Sequence, residues 1–205
     1  MSARVAVLVS GGGTNLQALI DAKNSGKMPH ASIEVVISNV ENAYALERAK
    51  KAGIAVCTCV NRKRPRAEFE AELIQILESH QIDLIVLAGF LAILSEDFTR
   101  RYPKRILNIH PSLIPSFCGE GFYGLRVHEA ALKRGVKVTG ATVHFVNEIP
   151  DGGEILLQKA VAIQPGDTPE ILQRRVMEEA EWKLLPQAVE MVAHEMEEKK
   201  HAKSV

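Results

Sequence analysis

Val5-Ala6-Val7-Leu8-Val9 is an unbroken apolar run that stops at Ser10-Gly11-Gly12-Gly13-Thr14-Asn15, after which Leu16, Leu19 and Ile20 return at helical spacing. A strand with no polar face has to be covered on both sides, which is the condition of a parallel strand inside an α/β sheet. The rest of the chain keeps this rhythm. Ile33 to Ile37, Ile54 to Val60, Asp83 to Leu87 and the run from Arg105 to His110 read as further strands. Between them lie a helical stretch from Glu41 to Ala52, closed by Gly53 as a C-terminal cap, and a helix with Phe69, Leu73, Ile76 and Leu77 on one face. Another helix begins near Ser95-Glu96-Asp97.

A further helix is expected from about Leu125 to Lys133. Val138 to Val146 and Ile155 to Ile163 then read as a long-looped antiparallel hairpin added to the parallel sheet. Thr168 as N-cap and Pro169 in the first helical position open a last helix or pair of helices, which runs through Val176, Ala180, Leu184 and Pro186 towards Lys199. The charged end, Glu195 to Lys200, reads as a fraying surface helix. The expected fold is therefore α/β: a single domain over residues 1–205, with a mostly parallel, doubly wound (Rossmann-like) sheet, an antiparallel C-terminal extension and helices on both faces.

A chain of 205 residues with 46% hydrophobic content can build one well-packed core. Lys and Arg number 25, as do Asp and Glu, so overall charge gives no reason to expect nucleic acid or an anionic membrane as partner. The first apolar run is far shorter than a membrane span and has no cleavage signature, and a cytoplasmic location is expected. Cys57, Cys59 and Cys118 form no CxxC pair, which argues against a disulfide framework or a cysteine zinc site. Cys57 and Cys59 read as ordinary buried strand residues.

A glycine turn between strand and helix offers free N–H groups and the positive end of a helix dipole to an anion. Its spacing is Gly-x-Gly-x-x-Leu, and the next strand ends in Ser38-Asn39 without the acid that a dinucleotide ribose needs. No Lys-Ser/Thr follows the glycines, so a triphosphate loop is also disfavoured. A monophosphate site is the reading that remains, beside the plainer one in which the glycines only let helix and strand approach.

Asn108 and His110 stand two apart at the end of a strand, so both project from one face. Pro111 and Pro115 stop the strand and stiffen its exit. An amide donor beside an imidazole suits a reaction in which a carbonyl oxygen becomes negative and a proton must move. The plainer reading is a strand-end His satisfied by a backbone carbonyl and an Asn capping the turn. Leu91 to Leu94 form an apolar loop at the same sheet edge and are able to wall a flat heterocycle, or simply to pack in the core. Ser116 to Gly124, with three glycines and three aromatics, reads as an active-site loop. His128 and His144 lack ligand spacing and read as structural, and no metal is implied. On sequence alone Asp151 reads as a turn residue before Gly152-Gly153.

Gly11-Gly12-Gly13-Thr14-Asn15-Leu16-Gln17-Ala18, Leu87-Ala88-Gly89-Phe90, Asn108-Ile109-His110-Pro111-Ser112-Leu113-Ile114-Pro115 and Val143-His144-Phe145-Val146 with Asp151-Gly152-Gly153 together resemble the phosphoribosylglycinamide formyltransferase family. The likeness runs from Val5 to about Pro186. It implies transfer of the formyl group of 10-formyltetrahydrofolate, as co-substrate, to the amine of glycinamide ribonucleotide in purine biosynthesis. By the resemblance, Gly13, Thr14 and Asn15 hold the substrate phosphate, and Glu178 and Glu181 meet the ribose. The folate lies between Leu91, Ala92, Ile93, Leu94 and Asn147, Glu148, Ile149, Pro150, Asp151, against Asn108, with Arg66 near its glutamate carboxylates.

Catalysis falls to Asn108, His110 and Asp151. Asn108 donates to the oxyanion, and protonated His110 does the same. A carboxylate at Asp151 within ~4–6 Å is expected to raise the His110 pKa and to help pass the amine proton. The expected partners are the two small molecules, with no nucleic acid, membrane or metal, and the chain is expected to be a monomer or weak homodimer. With its length of 205 residues, neither a tRNA-binding nor an added regulatory domain is expected. Two positions depart from the family pattern: Ala92 stands where many members have arginine, and Glu120 places a negative charge in the glycine-aromatic loop. Two other readings are a hydrolase releasing formate from the same folate, and a nucleotide-binding module without catalysis.

Overall fold

The computed structural model describes residues 2–202. One sheet contains β1 (Ala3–Val9), β2 (Ala31–Ser38), β3 (Ala55–Thr58), β4 (Leu84–Leu87), β5 (Ile106–His110), β6 (Val138–Phe145) and β7 (Ile155–Ala162), in the order β3-β2-β1-β4-β5-β6-β7. Strands β1 to β5 pair in parallel, while β6 and β7 are added antiparallel at one edge. The helices are α1 (Thr14–Asn24), α2 (Tyr44–Lys51), α3 (Arg66–Ser79), α4 (Glu96–Arg101), α5 (Leu125–Arg134), α6 (Pro169–Val176) and α7 (Trp182–Ala202). This is the mixed, mostly parallel architecture that the sequence implies.

The absence of alternation in β1 now has its cause. Val5, Val7 and Val9 pack in a cluster with Leu16 and Leu19 of α1 and Leu185 and Val189 of α7. Ala6 and Leu8 belong to a second cluster with Phe69, Leu73 and Leu77 of α3 and Phe98 of α4. Both faces of the strand are thus buried under helices. The strand order reverses between β1 and β4, which opens a crevice beyond the carboxyl ends of the parallel strands.

Several boundaries differ from expectation. Helix α2 begins at Tyr44 rather than Glu41 because its first turn docks on the glycine turn: Ala45 N donates to Gly11 O at 3.0 Å and Arg48 Nε to Gly12 O at 2.8 Å. Strand β3 ends at Thr58, so Cys59 is buried just beyond it and Cys57 is only half-buried. The charged end is not a fraying helix up to Ala202. Lys200 Nζ lies 2.8 Å from Asp83 Oδ1, and Glu190 and Glu197 both pair with His30, so α7 is tied across the sheet's amino edge. Between α6 and α7 a π-helical turn, Met177–Glu181, interrupts the helical repeat, a distortion that concentrates at functional sites.

The hairpin between β6 and β7 is held closed by Phe145 N donating to Glu154 O at 2.9 Å. A Cβ at Gly153 would stand 1.7 Å from the Phe145 carbonyl oxygen, so only glycine permits this approach. Gly153→Ala must push the two backbones apart. It is expected to cost at least ~1–3 kcal/mol of stability in denaturant unfolding, the usual range for forced overpacking. An unchanged midpoint would mean that the loop relaxes freely.

Candidate active site

Strand β5 ends in the crevice, and its last residues carry the chemistry. Leu107 and Ile109 point into one hydrophobic cluster, which leaves Asn108 and His110 on the opposite face, as the two-residue spacing requires. Asn108 pairs in register with Leu87 of β4 on one side and with His144 of β6 on the other. The stiff exit is built as expected: Thr142 Oγ1 donates to Ser112 O at 2.7 Å and accepts from Ile114 N at 3.1 Å. The Ile114–Pro115 peptide is cis.

Asp151 reaches the same place from the hairpin loop. It adopts a left-handed conformation, φ 54°, beside the two glycines, and its carboxylate turns back over the ends of β5 and β6. Oδ2 accepts from Gly119 N at 2.8 Å and lies 3.5 Å from His110 Nδ1, while Oδ1 accepts from Asn108 Nδ2 at 3.3 Å and lies 3.5 Å from His144 Nε2. The carboxylate is therefore more than a turn residue. It joins β5, β6 and the loop from Ser116 to Gly124.

The electrostatics correct one expectation. Burial pushes the His110 pKa below its ordinary value, outweighing Asp151 and the Phe117 carbonyl, which favour the charged form, and His144 adds to the lowering. At 3.5 Å, and shared with other donors, Asp151 does not offset the desolvation of an imidazole that is only 4% exposed. In the unliganded chain the ring is neutral at neutral pH. Its Nε2 donates to Phe117 O at 2.9 Å. Burial also acts to raise the Asp151 pKa, but His144, His110 and the Gly119 N–H together hold it below the usual carboxylate range.

A cavity of about 670 Å³ surrounds this cluster. Its lining includes the loop residues Leu91, Ala92, Ile93 and Leu94 and the hairpin residues Asn147, Glu148, Ile149 and Pro150. Leu91, Ile93 and Ile149 are 61%, 58% and 58% exposed, apolar surface whose natural use is to cover a ligand. The lining also includes Asn15, Gln173, Met177 and Glu181. The π turn delivers Glu181 to the cavity, where its buried carboxylate accepts from Asn15 Nδ2 at 2.7 Å. A larger groove of about 800 Å³ between α1 and α7 includes Thr14 and Arg48 but none of the Asn108, His110 and Asp151 cluster.

The sequence-derived site residues are not all brought together. Asn15, Glu181, Asn108, His110, Asp151, the residues 91–94 and 147–150, and Glu120 line the one cavity. Gly13 does not line it. It caps α1 in a left-handed conformation (φ 73°), where a Cβ would stand 2.6 Å from that of Ala45. The Gly12 and Gly13 N–H groups find no backbone acceptor among the described residues. Glu178 is exposed and pairs with Arg174 at 2.9 Å, and Arg66 is exposed at the start of α3, away from the cavity. Asn39 lies where a dinucleotide fold would place its acid, and it is spent on Ser10 (2.6 Å) and Asn61 (3.1 Å).

Two histidines read as structural belong to the site. His144 touches Asn108 and Asp151, and His128 of α5 lines the cavity. Once β6 is registered on β5, His144 is the cross-strand neighbour of Asn108, a signal that spacing along the chain does not carry. His128 is completely buried with both ring nitrogens unpartnered among the described residues.

His128 and Glu181 link folding to pH with opposite signs. Burial, reinforced by His110, lowers the His128 pKa from 6.5 to about 4, so stability is lost as pH falls through this window and the unfolded chain alone takes the proton. Burial raises the Glu181 pKa from 4.5 to about 7 against the Asn15 amide, so stability is lost as pH rises through that window and the unfolded chain alone ionises. Each effect is worth up to ~3 kcal/mol. In urea unfolding across pH 4 to 7.5, Glu181→Gln should gain on the parent chain as pH rises. His128→Phe should gain on it as pH falls. Parallel curves would show that neither group is buried in the form described.

A doubly wound sheet with an Asn-His-Asp cluster at its crevice defines a class, and the chain belongs to the formyl transferase family, whose model matches residues 3–189. It is 44% identical over 184 residues to the phosphoribosylglycinamide formyltransferase of Haemophilus influenzae, covering 89% of this chain and 84% of that one. It is also 47% identical over 195 residues to the human trifunctional purine biosynthetic protein adenosine-3, covering 93% of this chain but 18% of that protein. The chain thus spans less than a fifth of the length of that multifunctional relative. Among solved structures, glycinamide ribonucleotide transformylase 1 from Symbiobacterium toebii superimposes with a TM-score of 0.87 at 42% identity, covering 94% of this chain and 88% of that one. A formyltetrahydrofolate deformylase from Pseudomonas syringae is more distant at 27% identity, with a TM-score of 0.85 over 95% of this chain and 62% of that one. Among the described residues no helix is long and apolar enough to cross a membrane, and no group of three or more His, Cys, Asp or Glu is placed to hold a metal ion.

Proposed function

We propose that this chain transfers the formyl group of 10-formyltetrahydrofolate to the amine of glycinamide ribonucleotide, a step of purine biosynthesis. The observation that carries the reading is the convergence of Asn108, His110 and Asp151 in one cavity that is lined both by exposed apolar residues and by the polar pair Asn15 and Glu181. The exposed apolar walls suit the flat folate. The pair Asn15 and Glu181 suits the hydroxyl-bearing nucleotide, whose phosphate would reach the unengaged glycine N–H groups. In this reading residues 1–205 act as one formyltransferase domain, in the cytoplasm, as a monomer or weak homodimer.

The amine nitrogen attacks the formyl carbon, a C–N bond forms, and the carbonyl electron pair moves to oxygen. Asn108 donates to that oxygen. Burial keeps His110 neutral beforehand, but negative charge developing beside it favours its charged form, so the ring takes up a proton from solvent as the intermediate builds and gives it back as the intermediate collapses. Asp151, ionised well below neutral pH, takes the proton released by the amine and returns it, directly or through water, to the folate nitrogen as the second C–N bond breaks. Arg66 and Glu178, held away from the cavity, take no part in these steps.

A hydrolase would use the same cluster with water as nucleophile. The greater likeness to the transferases favours transfer. Mixing the purified chain with 10-formyltetrahydrofolate and following folate absorbance with and without glycinamide ribonucleotide decides between them. Nucleotide-dependent conversion is expected. Equal conversion without it would make the chain a hydrolase, and none in either mixture would reduce it to a binding module.

A further inference from the structure

Asn108 has two amide hydrogens, and both are engaged. One meets His144 Nε2 at 3.1 Å, the other meets Asp151 Oδ1 at 3.3 Å. His144 is 1% exposed, and its Nδ1 lies 2.9 Å from the Phe145 carbonyl oxygen. A carbonyl only accepts, so Nδ1 carries a proton, and the Asn108 N–H at 3.1 Å, closer to Nε2 than the Asp151 carboxylate at 3.5 Å, makes Nε2 its acceptor. A register shift between Val143 and His144, where β6 runs against β7, is the kind of local bulge that re-aims a side chain.

We infer that His144 is a positioning residue: it fixes the plane and the direction of the Asn108 amide, so that an N–H, and not the amide oxygen, meets the developing oxyanion. The flipped amide would set its oxygen against two acceptors, His144 Nε2 and Asp151 Oδ1, and is excluded as long as His144 Nε2 bears no proton. The bond to His144 is the shorter of the two and stays. The longer bond to Asp151 is exchanged for the bond to substrate. This inference rests on the proposed transfer for its catalytic consequence, but its structural half stands in the free protein.

The test has two arms. In the 15N-labelled free protein, His144 should show a protonated Nδ1 and an unprotonated Nε2, with a coupling across the hydrogen bond to Asn108 Nδ2. A proton on Nε2 overturns the inference whatever the activity. In kinetics, His144→Phe removes the acceptor and should lower kcat by up to ~100-fold, the scale of a misplaced reacting geometry, with little change in either KM. His144→Gln, which restores an acceptor near Nε2, should recover most of the loss. In an Asn108→Ala background His144→Phe should cost little more, since the group it positions is gone. The same factor in both backgrounds overturns the inference. Where the phenyl ring prevents folding, judged by thermal melting, His144→Asn goes through the same cycle, because its amide replaces Nδ1 and not Nε2.

Discussion

Replacing Asp151 by Asn is expected to lower kcat for formyl transfer by about 10²–10⁴, the usual contribution of a positioned acid or base, with the fold intact. The substitution is nearly isosteric, and the new side-chain oxygen still accepts from Gly119 N, so the loop stays docked. Three functions go together. The charge that partly offsets the burial of His110 disappears, the proton acceptor for the amine disappears, and an amide NH2 now faces either Asn108 or a histidine. Steady-state kinetics with both substrates varied measures it. A kcat within a few-fold of the parent would return Asp151 to the role its sequence position suggested, a turn residue.

Asn108→Ala is expected to lose about 10²–10³ in kcat, the cost of one oxyanion donor. The truncation removes a cavity-lining amide that stands in register between Leu87 and His144. Because Asn108 is only half-buried, its loss leaves no deep void and unfolding should move little. His144 Nε2 and Asp151 Oδ1 both lose the donor they shared, which adds to the loss at the oxyanion. A fall confined to KM would assign Asn108 to ground-state binding and not to the intermediate.

Much of this fold was readable because the covering of β1 on both faces removes any alternation, and because glycine, proline and N-cap residues mark the element ends. The hairpin and the cap at Thr168 followed from the same local chemistry. What escaped were placements set by tertiary contact. Helix α2 starts where it meets the glycine turn, the end of α7 is held by Asp83 and His30, and the π turn that delivers Glu181 leaves no trace in the periodicity.

The site shows the same division. Asn108 and His110 are two apart on one strand, so their proximity is local and legible. Asp151 and His144 arrive through the pairing of β6 on β5, more than thirty residues away along the chain. The resemblance brought Asp151 to notice, but no spacing rule pointed to His144. The direction of the His110 shift was misjudged for a related reason. A carboxylate nearby can be read from sequence, while the burial that outweighs it cannot.

The most direct test of the central claim follows the carbon itself. The purified chain is incubated with 10-formyltetrahydrofolate labelled with 13C in the formyl group and with glycinamide ribonucleotide, and the label is located by NMR. Transfer through the Asn108, His110 and Asp151 cavity predicts the label as an amide on the nucleotide, at a rate that collapses in Asp151→Asn. Label released as formate, or label on the nucleotide at an undiminished rate in that variant, would contradict it.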